Sequence, residues 1–474
     1  WSLTSLGIGC IIGAGIFVVT GYAVHYKAGP ALLISFVVAG FACVFSALCY
    51  AEFASMAPVA GSAYTYAYAT LGEFFAWIIG WDLVLEYTVA SSSVAHGWSK
   101  YFQNFLSIFH IKLPIAVTNA PFDFDPSKGV FTKTGSLFDL MALSIVAVLT
   151  IILVIGIRQS SRFNNAMVAL KVSVVLLVIG AGIFFVKSAN WHPFAPYGWA
   201  GLSIFGKTVW GQRGVDGAPV GMLAGAAMIF FAYIGFDSVS THAEEAKNPQ
   251  RDVPIGIISS LMICTVLYIA VTVVLTGMVP YDQIDVQAPV AAAFERVGLR
   301  WGQFVISLGA VAGITSVILV LMLSQPRVLL AMARDGLLPA SFFGSVHPRF
   351  RTPWKSTIVT GIAVGLMASF IPLGILAELV NIGTLLAFVI VCTAVLIMRY
   401  TNPQAERPFR CPMVPVIPVL GVLLCLVLMF SLPSENWLRL FIWMAVGMVI
   451  YFMYGRFHSV MARQRQAGQL DQKK

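Results

Sequence analysis

The sequence predicts an all-α polytopic membrane protein, and three observations carry that prediction. Of its 474 residues, 59% are hydrophobic and only 10% charged, whereas soluble domains carry roughly 25% charged residues. Mean hydropathy is +0.86. The apolar residues fall in continuous runs of about 20, the length of a helix that crosses a bilayer. They do not alternate with polar residues, which excludes a β-barrel.

The runs are read as twelve transmembrane helices, at 3–24, 31–55, 72–106, 138–157, 163–187, 219–241, 253–278, 300–332, 355–372, 376–399, 413–432 and 436–455. The third and eighth are long enough to tilt or to extend beyond the bilayer. An even number of crossings puts both termini on one side. Lys and Arg decide which side: Arg158, Arg162, Lys247, Arg251, Arg327, Arg334, Arg349, Arg351, Lys355, Arg399, Arg407, Arg410 and the tail from Arg456 share it with the termini, and fewer basic residues fall in the longer loops opposite. Both termini are therefore expected in the cytoplasm, with residues 456–474 as a basic tail. Loops 107–137 and 188–218, rich in Pro, Asn, Asp and Gly, are the long solvated connections. The net charge of +9 does not indicate a nucleic-acid partner, because the basic residues sit in short loops between apolar runs. Six of the seven cysteines lie inside apolar runs and Cys411 in a basic loop, with no metal-site spacing and no expected disulfide. The chain opens at Trp1, so a native N-terminus is expected upstream, and the first run is too long for a signal peptide.

Two of the runs are interrupted. The first carries Gly9-Cys10-Ile11-Ile12-Gly13-Ala14-Gly15-Ile16-Phe17, and the sixth carries Phe231-Ala232-Tyr233-Ile234-Gly235-Phe236-Asp237-Ser238. Glycine weakens a helix by roughly 1 kcal/mol per residue and lets another group approach the backbone. In hydrocarbon, broken backbone survives only where it is packed in protein or lines a cavity. A half-helix beginning near Gly15 would aim N–H groups and a positive dipole end at an anion. The half-helix before the break would offer carbonyls to a cation, and the second break would add carbonyls beside Phe231. These are the groups that a small zwitterion needs at mid-membrane. The alternative is close helix packing, since Gly9-x-x-x-Gly13 is also a membrane-helix contact motif. Breaks in the first and sixth runs imply two five-helix repeats, 1–187 and 219–399. An odd number of spans per repeat makes the second inverted. The helices of 413–455 lie outside the repeats.

These stretches, together with Tyr50-Ala51-Glu52-Phe53, Pro58 to Tyr64, Glu244-Glu245-Ala246-Lys247-Asn248-Pro249 and Pro254-Ile255-Gly256-Ile257, resemble the amino acid–polyamine–organocation superfamily. Within it the chain resembles the bacterial cationic amino acid transporter-like family. The resemblance covers nearly the whole chain. It implies a leucine-transporter-type fold that works by alternating access, with an amino acid as substrate and no cofactor. It places the substrate carboxylate on the backbone of Gly13, Ala14 and Gly15, and the amine on the carbonyls of Ile11, Phe231 and Ile234. Phe231 matches an aromatic gate in relatives, and Asp237 an acidic position tied in some of them to proton sensing.

Lys171 lies in the fifth run, about eight residues and so about 12 Å from its inner end. A lysine in hydrocarbon costs roughly 2.5–3.5 kcal/mol on insertion scales. It either snorkels, though its stem spans about half that depth, or it stands as an ammonium where sodium-coupled relatives hold sodium. The second reading makes it the proton-coupling residue. Asp82 and Glu86 lie one turn apart on the third run. Glu86 is a candidate proton or side-chain contact, against a plain cavity-facing role. Glu378 and Asn381 are candidates for an outer vestibule, Glu244 and Glu245 for a gate or an ion pair, and the lone His96 for a packed structural residue.

Proton-coupled amino acid import across the cytoplasmic membrane is the expected function, with exchange on the same fold and a non-transporting sensor as alternatives. A membrane enzyme is excluded, because no metal cluster, Ser/His/Asp set or phosphate loop is present. The backbone site is blind to the side chain, so cationic and small neutral amino acids both remain open. Met322, Ser316, Thr315 and Phe236 are among the candidate pocket residues.

Overall fold

The computed structural model describes residues 2–56, 64–65, 67–68, 72–126, 128–156, 161–204, 207–236, 239 and 248–460. The principal helices are α1 (Ser2–Ile11), α2 (Leu32–Met56), α3 (Glu73–Ile108), α4 (Leu140–Ile155), α5 (Ser161–Gly182), α6 (Met222–Ile229), α7 (Pro249–Met278), α8 (Arg300–Arg334), α9 (Trp354–Phe370), α10 (Leu373–Thr401), α11 (Val416–Met429) and α12 (Ser434–Ile450). They follow the apolar runs closely. Among the described residues, seven stretches are long and apolar enough to cross a membrane. The first, Leu3–Met56, spans α1 and α2, and shorter apolar helices account for the remaining runs. This is a multi-pass helical membrane protein. Side chains such as Ile151, Val266 and Met453 are exposed on the outside of the bundle, where lipid replaces water as their solvent.

Local chemistry sets the helix ends. The Asp139 side chain caps α4, accepting from the Ala142 N–H at 3.0 Å, and Gly156 at φ +88° ends it. Pro353, Pro372 and Pro433 stand immediately before α9, α10 and α12, positions where a missing N–H costs nothing. The long connections hold what the apolar pattern did not predict. Three small antiparallel hairpins are built from β1 (Phe122–Asp125) with β2 (Val130–Lys133), β3 (Leu202–Ile204) with β4 (Lys207–Trp210), and β5 (Gln212–Arg213) with β6 (Pro219–Val220). A short helix, Pro289–Arg296, joins α7 to α8.

The pairs α3–α8, α2–α7 and α4–α9 pack along their lengths, as do α1–α7, α2–α6, α3–α10 and α5–α8. Polar side chains lock the central pair. Trp98 Nε1 donates to Thr315 Oγ1 at 2.8 Å, Gln325 Nε2 to Thr88 Oγ1 at 2.7 Å, and Ser307 Oγ to Asn104 Oδ1 at 2.9 Å. Helix α12 is fastened to α3 by stacked indoles. Trp81 lies between Trp77 and Trp443, with centroids 5.7 and 4.5 Å apart, and Trp81 and Trp443 each donate to the other's carbonyl.

Both ends of the described chain lie at one end of the bundle. There Leu3 meets Gly256 and the His458 carbonyl meets Gly336. A buried ion network closes this terminal end. The Glu52 carboxylate takes Arg399 Nη2 at 2.8 Å, Arg407 Nε at 3.1 Å and the Cys411 N–H at 2.7 Å. Arg407 also donates to the carbonyls of Met398, Asn402, Pro403 and Ala405. The seven cysteines are buried and none is joined in a disulfide.

Removing one partner of a buried, hydrogen-bonded ion network strands the other. Glu52→Ala is expected to lower stability by about 3 kcal/mol, read as a clear drop in melting temperature in detergent. An unchanged melting temperature would mean that the network contributes nothing.

Candidate functional site

Helix α1 stops because its hydrogen-bond ladder does. Ile12 N still bonds to the Ile8 carbonyl at 2.9 Å, and Ile12 and Gly13 then leave the helix. The ladder resumes when Phe17 N reaches the Gly13 carbonyl at 3.3 Å. The amides of Ala14, Gly15 and Ile16 therefore head a second half-helix, 15–28, with no partner within it. This half-helix is wound in wide turns at Gly15–Val19 and Val24–Ala28.

The second break has a different form. After α6 the chain tightens into a turn at Phe230–Tyr233, and Ile234 is extended at ψ +137°. Gly235 then turns left-handed at φ +111°, a conformation that other residues resist. Residues 237 and 238 lie outside the described residues. So do Asp237, Glu244 and Glu245, and the Pro58 motif up to its last residue, Tyr64.

The two breaks press against one another. A Cβ on Gly15 would fall 2.3 Å from the Ala232 Cα, one on Gly235 would fall 3.1 Å from the Cys10 carbonyl oxygen, and one on Gly13 would meet Val317 of α8 at 2.8 Å. Ile11, Ala14, Phe231 and Ile234 are all buried. The structure thus brings together every sequence-predicted backbone position: Ile11, Gly13, Ala14, Gly15, Phe231 and Ile234.

Three carbonyls around the first break are met by side chains from other helices. Lys171 of α5 is 0% exposed, and its ammonium donates to the Gly9 carbonyl in the last turns of α1. Its stem crosses Gly313 of α8, where a Cβ would lie 3.0 Å from the Lys171 Cγ. This lysine does not snorkel; it is anchored inside the bundle. Tyr268 of α7 donates to the Ile11 carbonyl at 2.7 Å, and Tyr101 of α3 to that of Phe17 at 2.6 Å. Asn381 of α10 donates to the Ala227 and Met228 carbonyls at the end of α6, both at 2.9 Å. Sequence reasoning missed Tyr268 and Tyr101. A tyrosine in an apolar run has no distinguishing local pattern, although a buried hydroxyl in hydrocarbon always needs a partner.

Other candidates lie apart from the breaks. Asp82 is buried, and neither carboxylate oxygen has a hydrogen-bond partner among the described residues; it abuts Gly383 of α10. Glu86 is buried one turn on. His96 is not isolated: its Nδ1 lies 3.3 Å from the Ala368 carbonyl and 4.0 Å from Asp139, which Lys100 also approaches at 3.6 Å. Toward the hairpins, Tyr22 and Glu378 line a cavity of about 270 Å³. Beside it Lys27, at the end of the half-helix 15–28, pairs with Glu378 of α10 at 3.3 Å.

Comparison with known proteins decides what kind of molecule carries this geometry. The amino acid permease family model matches residues 1–457. The chain belongs to the amino acid permease family. This permease is 48% identical over 461 residues to the methylthioribose transporter of Bacillus subtilis (strain 168), covering 97% of this chain and 94% of that one. It is 49% identical over 460 residues to the branched-chain amino acid permease BcaP of the same organism, covering 97% and 93%. It is 31% identical to the vacuolar cationic amino acid transporter 4 of Arabidopsis thaliana, covering 97% and 91%. The resemblance to the amino acid–polyamine–organocation superfamily is borne out, and the permease's relatives are transporters, not enzymes.

The contact between the breaks leaves no room for a methyl group. Gly15→Ala is expected to destabilise the permease by about 1–3 kcal/mol through overpacking. Gly180→Ala, in α5 with nothing within 4 Å, is expected to leave stability unchanged or raise it by up to about 1 kcal/mol. Thermal melting of the two variants checks the contrast.

Proposed function

We propose that this permease imports amino acids across the cytoplasmic membrane by proton-coupled alternating access. The observation that carries the reading is the Lys171 ammonium on the Gly9 carbonyl, beside two helix breaks in direct contact. A half-helix C-terminus at mid-membrane presents carbonyls that call for a cation. Here a side-chain ammonium supplies that cation, so no sodium is needed. Loss of a proton from Lys171 would remove the charge that holds α5 to α1, which gives the proton a mechanical consequence.

In this reading the α-carboxylate lies on the amides of Gly13, Ala14 and Gly15. The α-amine lies on the carbonyls of Ile11, Phe231 and Ile234. The Ile11 carbonyl already accepts from Tyr268, but a carbonyl oxygen has a second lone pair for an ammonium. Asp237 and Glu86 are proposed as further proton or side-chain contacts.

Two inverted repeats, 1–187 and 219–399, followed by 413–455 and the tail 456–474, complete a twelve-helix, leucine-transporter-type architecture with both termini cytoplasmic. The packing supports it. Exchanging each helix with the one five places along turns the α1–α7 contact into α6–α2, and α3–α10 into α8–α5; all four are packed pairs. The side chain accepted is left to experiment, since relatives are named for branched-chain amino acids, cationic amino acids and methylthioribose.

In proteoliposomes an inward proton gradient should drive uptake without sodium, and a competition panel of the twenty amino acids should identify the substrate. Lys171→Ala should abolish gradient-driven uptake. A sodium requirement, a strict requirement for internal amino acid, or full activity of the variant would each contradict the proposal.

A further inference from the structure

A cavity of about 520 Å³ opens at the hairpin end of the bundle, between the end of α5, the end of α7 and the short helix Pro289–Arg296. Its lining is divided by chemistry. Lys187 and Arg296 provide two exposed cations, Asn190 and Gln283 provide amides, and Phe184 and Met278 provide apolar surface. No carboxylate lines it among the described residues. Of the neighbouring acids, Glu295 is engaged elsewhere, accepting from Gln303 at 3.0 Å, and Asp282 is not part of the wall.

The arginine is held in place. The Arg296 guanidinium donates twice to Gln283, to the backbone carbonyl at 3.2 Å and to the side-chain oxygen. That leaves the rest of its five donors for an anion. The Lys187 backbone N–H and the Asn190 amide both donate to the Gly277 carbonyl at the end of α7, so the segment bearing Lys187 is fixed to the helix that bounds the cavity.

Its position says what kind of anion. Immediately before Lys187, the last turn of the fifth span turns Ile183 and Phe184 outward, 57% and 84% exposed. In a membrane protein those side chains face acyl chains, and the next polar residues stand at headgroup depth. A free anion would need only the cations. A phospholipid also covers the apolar rim.

We propose that this cavity binds the phosphate-bearing headgroup of an anionic phospholipid in the leaflet at the hairpin end. Lys187 and Arg296 meet the phosphate and the acyl chains lie along Ile183 and Phe184. The site sits on the ends of α5 and α7, the helices whose Lys171 and Tyr268 bond to the first break, and it depends on membrane residence rather than on the proposed transport cycle.

The test titrates phosphatidylglycerol or phosphatidylcholine of equal chain length into the purified full chain in detergent and follows thermal melting. Phosphatidylglycerol should stabilise the protein at lower concentration than phosphatidylcholine. At about 1 kcal/mol per basic residue, Lys187→Gln or Arg296→Gln alone should weaken that response roughly fivefold, and the double variant roughly thirtyfold. The phosphatidylcholine response should weaken less, because choline offsets the charge of its phosphate. Lys112→Gln, which removes an exposed lysine elsewhere at the same end, should leave the preference intact. Equal responses to the two lipids, an unweakened double variant, or loss of the preference in Lys112→Gln would overturn the proposal. So would glycerol phosphate matching phosphatidylglycerol, since that would make the ligand a free anion. If the double variant does not fold, the two single variants decide.

Discussion

The contact between two unwound backbones is what the rest of this structure accommodates. At the middle of a membrane an interrupted helix exposes N–H and C=O groups that lipid cannot satisfy, each at a cost of several kcal/mol. This chain places its two interruptions face to face, Gly15 on Ala232 and Gly235 on the Cys10 carbonyl, and then brings side chains from surrounding helices to the freed carbonyls. Lys171 comes from α5, Tyr268 from α7, Tyr101 from α3 and Asn381 from α10. The amides at the head of the half-helix 15–28 receive no such donor-matched partner within their own helix, so an acceptor from outside suits them. That asymmetry, carbonyls provided for and amides waiting, is the physical basis for reading the site as one that takes a carboxylate.

The surrounding scaffold has the opposite character. Between α3 and α8, Trp98 pairs with Thr315, Gln325 with Thr88 and Ser307 with Asn104, and α12 is held to α3 by three stacked indoles. At the terminal end, Glu52 with Arg399 and Arg407 joins α2 to α10 and the loop after it. At the hairpin end Lys27 pairs with Glu378 and so links the half-helix 15–28 to α10. The bundle thus combines paired side chains within its core with ionic contacts at both of its ends.

Local pattern made much of this legible. The apolar runs marked the helices because crossing length and continuous hydrophobicity are local properties. The glycine clusters at 9–15 and at 235 marked the breaks because glycine is the residue that close backbone approach demands. Lys171 stood out because a charge in hydrocarbon is costly wherever it lies. What stayed hidden were properties of pairs distant in sequence. Tyr268 and Tyr101 look like any buried aromatic until the carbonyls of Ile11 and Phe17 are placed beside them. Glu52 was visible as part of a motif, but its arginines lie far along the chain. His96 looked isolated because Asp139 and Lys100 reach it only through folding. The hairpins at 122–133 and 202–220 carry too few residues to show an alternating pattern, and Pro289–Arg296 is too short for a helical one.

The central claim, that the amides following the first break receive the substrate carboxylate, is tested most directly by hydrogen–deuterium exchange of the permease in lipid, with and without a saturating amino acid substrate. The account predicts that substrate slows exchange at the amides of residues 13–16, together with the contact segment 231–235. Protection that appears only elsewhere, with residues 13–16 exchanging at the same rate in both conditions, would contradict it.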